Sequence, residues 1–272
     1  MMKLQYASDL HLEFKENSEL LATTPLDAQA DILILAGDIT LLGKNKYYRD
    51  PFFDWCSEHF KETYIVPGNH EYYNGFELAD TMNDYQMSIR PNVHYINNQS
   101  VVINDTEIFF STLWCKIDPL EIVPVQMGMT DCYRIRYKGR DFNANDYDEL
   151  HTQSMNWLTE AVAKSVAKHK VVVTHHCPTK RFVDPRFPGS TINSAFCVDL
   201  DRYIEQSGIE TWIYGHTHYN GGNDNIVGNT RLHCNQLGYV SHGENKAFNP
   251  KAVIDVCLAL SDAQRCDMAS VN

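Results

Sequence analysis

The chain carries the run Ile32-Leu33-Ile34-Leu35-Ala36, entered from Asp31 and left through Gly37-Asp38. Five apolar residues without polar alternation predict a strand buried on both faces, as in the middle of a parallel sheet. Further mainly apolar runs that read as strands occupy residues 4–8, 64–66, 170–174 and 211–214. Between them lie segments with helical spacing; in residues 51–62, Phe53, Cys56 and Phe60 fall on one helical face. Strand and helix in alternation imply parallel pairing with right-handed crossovers. Residues 101–103 and 107–111 flank Asn104-Asp105, a hairpin signal. Asn145 is expected to cap a helix over residues 146–167, with Leu150, Trp157, Leu158, Ala161 and Val162 as its apolar face. Residues 196–206 read as a further helix, and residues 231–235 and 252–260 as closing strands. Two stretches, 114–145 and 179–193, show no clear period and read as loops; a loop as long as the first is usually functional or mobile. No repeat, linker or low-complexity tract interrupts residues 1–272, which read as one domain. The layer rule then predicts an α/β, four-layer αββα sandwich: two mixed β-sheets flanked by helices.

Five of the apolar runs end on polar blocks. These are Asp9-Leu10-His11, Gly37-Asp38, Gly68-Asn69-His70-Glu71, Thr174-His175-His176 and Gly215-His216-Thr217-His218. Each block offers Asp, Asn or His, the oxygen and nitrogen donors that divalent metals take. In open α/β sheets, ligands bind beyond the carboxyl ends of the strands, where these blocks fall. The two-residue spacing of Asp9 and His11 would let an extended strand point both at one ion. Gly37 and Gly68 would let the backbone turn sharply beside it.

In their order, the blocks D-x-H, G-D, G-N-H-[D/E], H and G-H-x-H resemble the calcineurin-like metallophosphoesterase family, from Asp9 to His218. The resemblance implies the same sandwich fold and a centre of two divalent ions (manganese, iron or zinc). It assigns Asp9, His11 and His218 to the first ion, Asn69, His175 and His216 to the second, and Asp38 to both. It implies a phosphoester hydrolase in which a hydroxide held between the metals attacks phosphorus. His70 would contact the phosphate and protonate the leaving oxygen, with Glu71 orienting its imidazole. Departures narrow the branch. The arginines that serine/threonine protein phosphatases carry after these blocks are missing, since Ile39-Thr40 follows Asp38 and Glu71-Tyr72-Tyr73 follows His70. The lipid-pyrophosphate branch has arginine where this chain has His70. The blocks are most similar to small stand-alone phosphodiesterases, so the expected substrate is a small mono- or diester, with a nucleotide among the candidates. The alternatives are a non-catalytic metal-binding scaffold, or a nuclease.

Composition adjusts this picture in three ways. A net charge of −12 without a basic run argues against nucleic-acid and anionic-membrane partners. Eight cysteines at irregular spacing, with no Cys-x-x-Cys, read as reduced thiols. Met1-Met2-Lys3-Leu4 leads straight into the first strand with no secretory or membrane-spanning run, so a cytoplasmic protein is expected. His176, next to His175, is expected to point away from the ions. His59, His94, His151, His169, His233 and His242 are expected at the surface or in packing. Lys116, Tyr133, Arg134, Arg181 and Arg186 lie in the two aperiodic stretches, within reach of a substrate but given no catalytic role.

Overall fold

The computed structural model describes residues 2–43, 49–221 and 225–256. The first half of the chain supplies β1 (Lys3–Ala7), β2 (Ile32–Leu35), β3 (Glu62–Ile65), β4 (Tyr85–Arg90) and β5 (Val93–Asn97). The rest supplies β6 (Gln99–Ile103), β7 (Thr106–Ser111), β8 (Arg136–Tyr137), β9 (Arg140–Asp141), β10 (His169–Thr174), β11 (Thr211–Tyr214), β12 (Ile226–Val227), β13 (Thr230–Cys234) and β14 (Val253–Asp255). Two six-stranded mixed sheets result, ordered β14-β1-β2-β3-β5-β4 and β12-β13-β11-β10-β7-β6. In each, four inner strands run parallel and both edge strands antiparallel. The parallel strands therefore present their carboxyl ends at one edge of each sheet.

Burial on both faces of β2 follows from its sequence. Ile32 and Ile34 face the other sheet and pack with Ile108, Phe110, Val171, Val173 and Ile213. The Tyr64 and Phe110 rings meet across this gap, 5.5 Å apart. Leu33 and Leu35 face outward against Leu21 of α1 (Lys15–Thr23) and Phe53 and Cys56 of α2 (Pro51–His59). The second sheet's outer face, with Phe109, Val172 and Trp212, packs against the long helix described below. Each such aliphatic side chain contributes about 1.5–3 kcal/mol through burial. The layers are helix, sheet, sheet, helix.

Four local expectations need correction. The long helix begins earlier, and Asn143, not Asn145, caps it. Asn143 accepts the Asn145 N–H (3.0 Å), and Asp146 takes the Asn143 N–H (2.8 Å). That acid three residues on completes a capping box only for Asn143. The stretch 114–145 is not a bare loop: it holds α3 (Ile122–Gly128), α4 (Asp131–Arg134) and the β8–β9 hairpin, and the long helix that follows it is α5 (Ala144–Lys164). The helix expected at 196–206 is α6 (Asp201–Ser207), because Cys197 pairs in an extended bridge with Cys177. The closing strand expected over 252–260 is Val253–Asp255; the remainder past 256, with Cys257 and Cys266, lies outside the described residues. The other six cysteines are free thiols. No helix among the described residues is long and apolar enough to cross a membrane.

Candidate metal centre

The ligand blocks follow β1, β2 and β3 of one sheet and β10 and β11 of the other. Hydrogen bonds lace the two edges together there. The His216 N–H donates to Asp9 Oδ1 (3.0 Å), and His175 Nδ1–H to the Ala36 carbonyl (2.9 Å). Asp9, His11, Asp38, His216 and His218 all sit at positive φ, between 48° and 75°. The left-handed region is costly for side-chain-bearing residues and tends to persist at functional sites. This also corrects the basis on which Asp9 and His11 were paired. Strand β1 ends at Ala7, and two left-handed residues beyond it, rather than the pleat of a strand, aim both side chains inward.

Among the described residues three groups of donor atoms form; His11, Glu13 and His70 make one, and the other two share Asp38. Of those two, Asp9, His11, Asp38 and His218 make the first; Asp38, His175 and His216 make the second, with Asn69 Oδ1 3.0 Å from His175 Nε2. Asp38 divides its oxygens between them: Oδ2 lies 3.8 Å from His11 Nε2, and Oδ1 lies 3.4 Å from His175 Nε2. Glycine makes room for this. A Cβ on Gly68 would stand 2.2 Å from Asp38 Oδ1, and one on Gly37 2.3 Å from His175 Nδ1.

The hydrogen bonds of the four histidines show that the clusters fit cations. His11 Nδ1 bonds Glu13 Oε1 (3.1 Å) and His218 Nδ1 bonds Glu244 Oε2 (2.7 Å). A carboxylate only accepts, so both Nδ1 atoms carry a proton, and the Nε2 of each ring is the nitrogen turned to the centre. Those two Nε2 atoms face each other at 3.0 Å. Across the centre, His175 Nδ1 donates to Ala36 and His216 Nε2 to the Ala195 carbonyl (3.2 Å). Their remaining nitrogens face each other at 3.1 Å. Ring nitrogens this close need positive charge between them, a shared proton in an N–H···N hydrogen bond or, in its place, a divalent cation.

Protonation shows the same demand for positive charge. Burial opposes charge on His218, yet Asp9 and Glu244 outweigh it and hold its pKa at about 10. Burial likewise opposes charge on His175, and Asp38 overcomes it, raising the group to about 9. His216 goes the other way, pushed well below its usual range by burial and by His175. Burial opposes ionisation of Asp38, but His175 and His70 prevail and its carboxyl stays well below the ordinary range. Metal binding displaces the protons that such groups hold.

His70 lies beside both clusters. Its N–H donates to Asp38 Oδ1 (2.9 Å), its Nδ1 bonds Glu13 Oε1 (2.8 Å), and its Nε2 faces the Tyr239 hydroxyl at 3.2 Å. The expected orienting role of Glu71 is not what the structure shows. Glu71 accepts the N–H groups of Gly68 (2.7 Å), Ile39 (2.8 Å) and Asp38 (3.0 Å), stapling the β2 and β3 loops together. His70–Tyr72 is a 3-10 turn, in which successive side chains diverge by about 120°. Burial and the Asp38 charge push Glu71 up to about 8. Glu13 holds His70 instead, and holds His11 with the same oxygen. Sequence reasoning missed Glu13, although it continues the polar positions 9 and 11. It also missed Glu244, Tyr239 and Asp131. Asp131 accepts from the Asn69 side-chain amide (2.9 Å) and from the Tyr73 and Tyr147 hydroxyls, turning Asn69 Oδ1 toward the second cluster.

His176 joins neither cluster: its Nδ1 donates to the Thr112 carbonyl (3.2 Å), and its ring packs on Trp114 and, 4.2 Å away, on His216. Above the clusters opens a cavity of about 760 Å³, walled by residues of both aperiodic stretches, among them Met129, Arg134, Arg186 and Ile192. Lys116 and Tyr133 are exposed, and Arg181 pairs with Asp201 at 2.7 Å.

Comparison with known proteins places this geometry. Residues 2–220 match the calcineurin-like phosphoesterase family. A protein of Acanthamoeba polyphaga mimivirus, itself called uncharacterized, is 30% identical over 288 residues, 96% of this chain and 99% of that one. The phosphopantetheinyl hydrolase of Mycobacterium tuberculosis has a similar fold, with a TM-score of 0.65 at 16% identity over 90% of this chain and 92% of that one.

Proposed function

This chain belongs to the calcineurin-like phosphoesterase family, and from that premise we propose that it hydrolyses small organic phosphoesters with the help of two divalent cations. The observation that carries this reading is the division of Asp38 between two clusters of converging donor atoms. Asp9, His11, Asp38 and His218 would hold one cation, and Asp38, Asn69, His175 and His216 the other; bound there, the pair activates water and neutralises phosphoryl oxygens. Mixed Asp/Asn/His donors suit manganese, iron or zinc.

The chain's own residues supply the rest. Glu13 fixes the His70 ring, so Nε2 stands at the cavity beside Tyr239, placed to give a proton to a departing oxygen. Arg134 supplies a cation on the cavity wall. It bonds the Tyr73 carbonyl (3.3 Å) and lies over the Tyr73 ring, which packs 4.3 Å from the His70 ring. Arg186, by contrast, is neutralised by Asp184 at 2.6 Å. Arg134 thus takes the part of the phosphate-holding arginines absent from the ligand blocks. The test is release of 4-nitrophenolate from mono- and bis-(4-nitrophenyl) phosphate by protein loaded with manganese, iron(II) or zinc. Release should stop on chelation and return with metal. Fully loaded protein that releases nothing from either ester, nor phosphate from nucleotides, would overturn the proposal.

A further inference from the structure

The cavity over the metal centre is far larger than a phosphate group. At about 760 Å³ it matches pockets that enclose a drug-sized ligand. Its floor is polar: Asp38, Asn69, His70, His216 and His218. Its walls are not. Phe14, Met129, Val183, Phe187, Ile192 and Phe196 line it from separate stretches of chain. This apolar zone begins at the ligands themselves. The Phe196 ring lies 5.0 Å from the His216 ring at 25°, and the Phe14 ring lies 5.8 Å from His11 and 6.3 Å from His70. Toward the mouth, Phe14 and Phe187 remain 41% and 55% exposed. The wall charge nearest Phe187 is already balanced, since Arg186 is tied to Asp184.

An inorganic phosphate chain or a phosphorylated polar peptide would leave these walls in water. A substrate with an apolar body would cover the apolar side chains among them. We infer that the phosphoester this site accepts carries an uncharged apolar group, an alkyl chain or an aromatic ring, which lies against Phe187, Ile192 and Phe196 while the phosphate meets the metal centre. The inference rests on the phosphoester reading above, and its test separates the two.

Calorimetry with metal-loaded protein and methyl-, butyl-, octyl- and phenylphosphonate reads the apolar zone without turnover. Affinity should climb with chain length by up to about fourfold per methylene until the walls are covered. A gain for octylphosphonate identifies a chain as the natural body; a larger gain for phenylphosphonate than its carbon count explains identifies a ring. The same groups placed on 4-nitrophenyl phosphodiesters should raise kcat/KM in parallel. In Phe187→Ser and Ile192→Asn the dependence on chain length should flatten; Phe187 is exposed, so its replacement leaves the core intact. Equal affinity for methyl-, octyl- and phenylphosphonate overturns the inference even where esters are hydrolysed. Affinity that rises with chain length in a protein that hydrolyses no ester upholds the apolar zone and removes the hydrolase reading instead.

Discussion

The imidazoles around Asp9 rest on carboxylates, His11 on Glu13 and His218 on Glu244, whereas those around Asn69 rest on backbone carbonyls, His175 on Ala36 and His216 on Ala195. A carboxylate behind an imidazole makes it a stronger base and adds negative charge; a carbonyl fixes the ring with less of either. The oxygen donors differ in the same sense, Asp9 being a carboxylate and Asn69 a neutral amide. The Asp9 half of the centre thus draws on charge, and the Asn69 half on a rigid backbone. The Asp9 half should fill first and hold its cation more tightly.

The largest effect belongs to the ligand common to both halves. On the two-cation reading, Asp38→Asn would remove the charge shared between the cations, so both should be lost and activity should fall to background. Elemental analysis decides: one half still full in this variant would show that the halves are independent and that Asp38 serves only one.

Next comes His70→Gln. His70 stands on Glu13, the carboxylate that also holds His11, and so belongs to the charged half without being a ligand. General acids contribute about 10²–10⁴ in rate. That loss should appear with an alkyl ester, whose departing oxygen needs a proton, and stay under about tenfold with a nitrophenyl ester. Metal content should be nearly unchanged. Equal losses in kcat/KM on the two esters would reduce His70 to a phosphate contact.

Glu244→Gln probes the comparison directly. Loss of a partner behind a metal-binding histidine typically weakens affinity by about 10–100-fold. The effect should fall on the Asp9 half and spare the other, as read by titration of the two sites. Equal weakening of both would abolish the distinction drawn here.

Proton competition gives a further separation. His218, at about 10, and His175, at about 9, are both protonated near neutrality when no cation is bound. A cation must displace those protons, so affinity rises with pH by about tenfold per unit for each proton displaced. The rise should level off above about 9 for the Asn69 half and continue to about 10 for the Asp9 half. Binding titrations from pH 7 to 10.5 test this; plateaus in the reverse order contradict it.

How far the sequence reveals this site depends on how each residue is placed along the chain. Asp9, Asp38, Asn69, His175 and His216 all follow apolar runs, and a buried strand announces what leaves its end. The residues that support them have no such herald. Glu244 and Tyr239 lie in and beside short 3-10 turns between β13 and β14, and Asp131 lies in an aperiodic stretch. Glu71 misled because adjacency suggested contact with His70, while a 3-10 turn separates neighbouring side chains. In the fold, β2 and β10 were plain as continuous apolar runs, but the β4–β5 hairpin was not anticipated. β4 is an edge strand, and its sequence, Tyr-Gln-Met-Ser-Ile-Arg, signals through period-two alternation instead of a continuous apolar run; Tyr85, Met87 and Ile89 are its partly buried face.

The smallest effect expected is also the sharpest check on the Asn69 half. Asp131 is fully buried and receives three donors: the Asn69 amide and the Tyr73 and Tyr147 hydroxyls. Because the Asn69 Nδ2 donates to it, Asn69 Oδ1 is left facing His175 Nε2. In Asp131→Asn the shape is kept, but one carboxylate oxygen becomes an NH₂ group, which can only donate. Tyrosine hydroxyls can rotate to accept from it; the Asn69 amide cannot. Asn69 then has less reason to hold one orientation, and the Asn69 half should weaken by less than about tenfold, with the Asp9 half unaffected. Stability should fall as well, since a buried donor left unpaired costs about 1–3 kcal/mol. Tyr147→Phe separates the two consequences. It removes a donor from Asp131 while leaving the Asn69 contact, so it should lower Tm without changing either metal affinity. If Asp131→Asn likewise lowers Tm and leaves both affinities intact, Asp131 holds the fold and does not position the ligand, and the Asn69 half owes its geometry to the backbone alone.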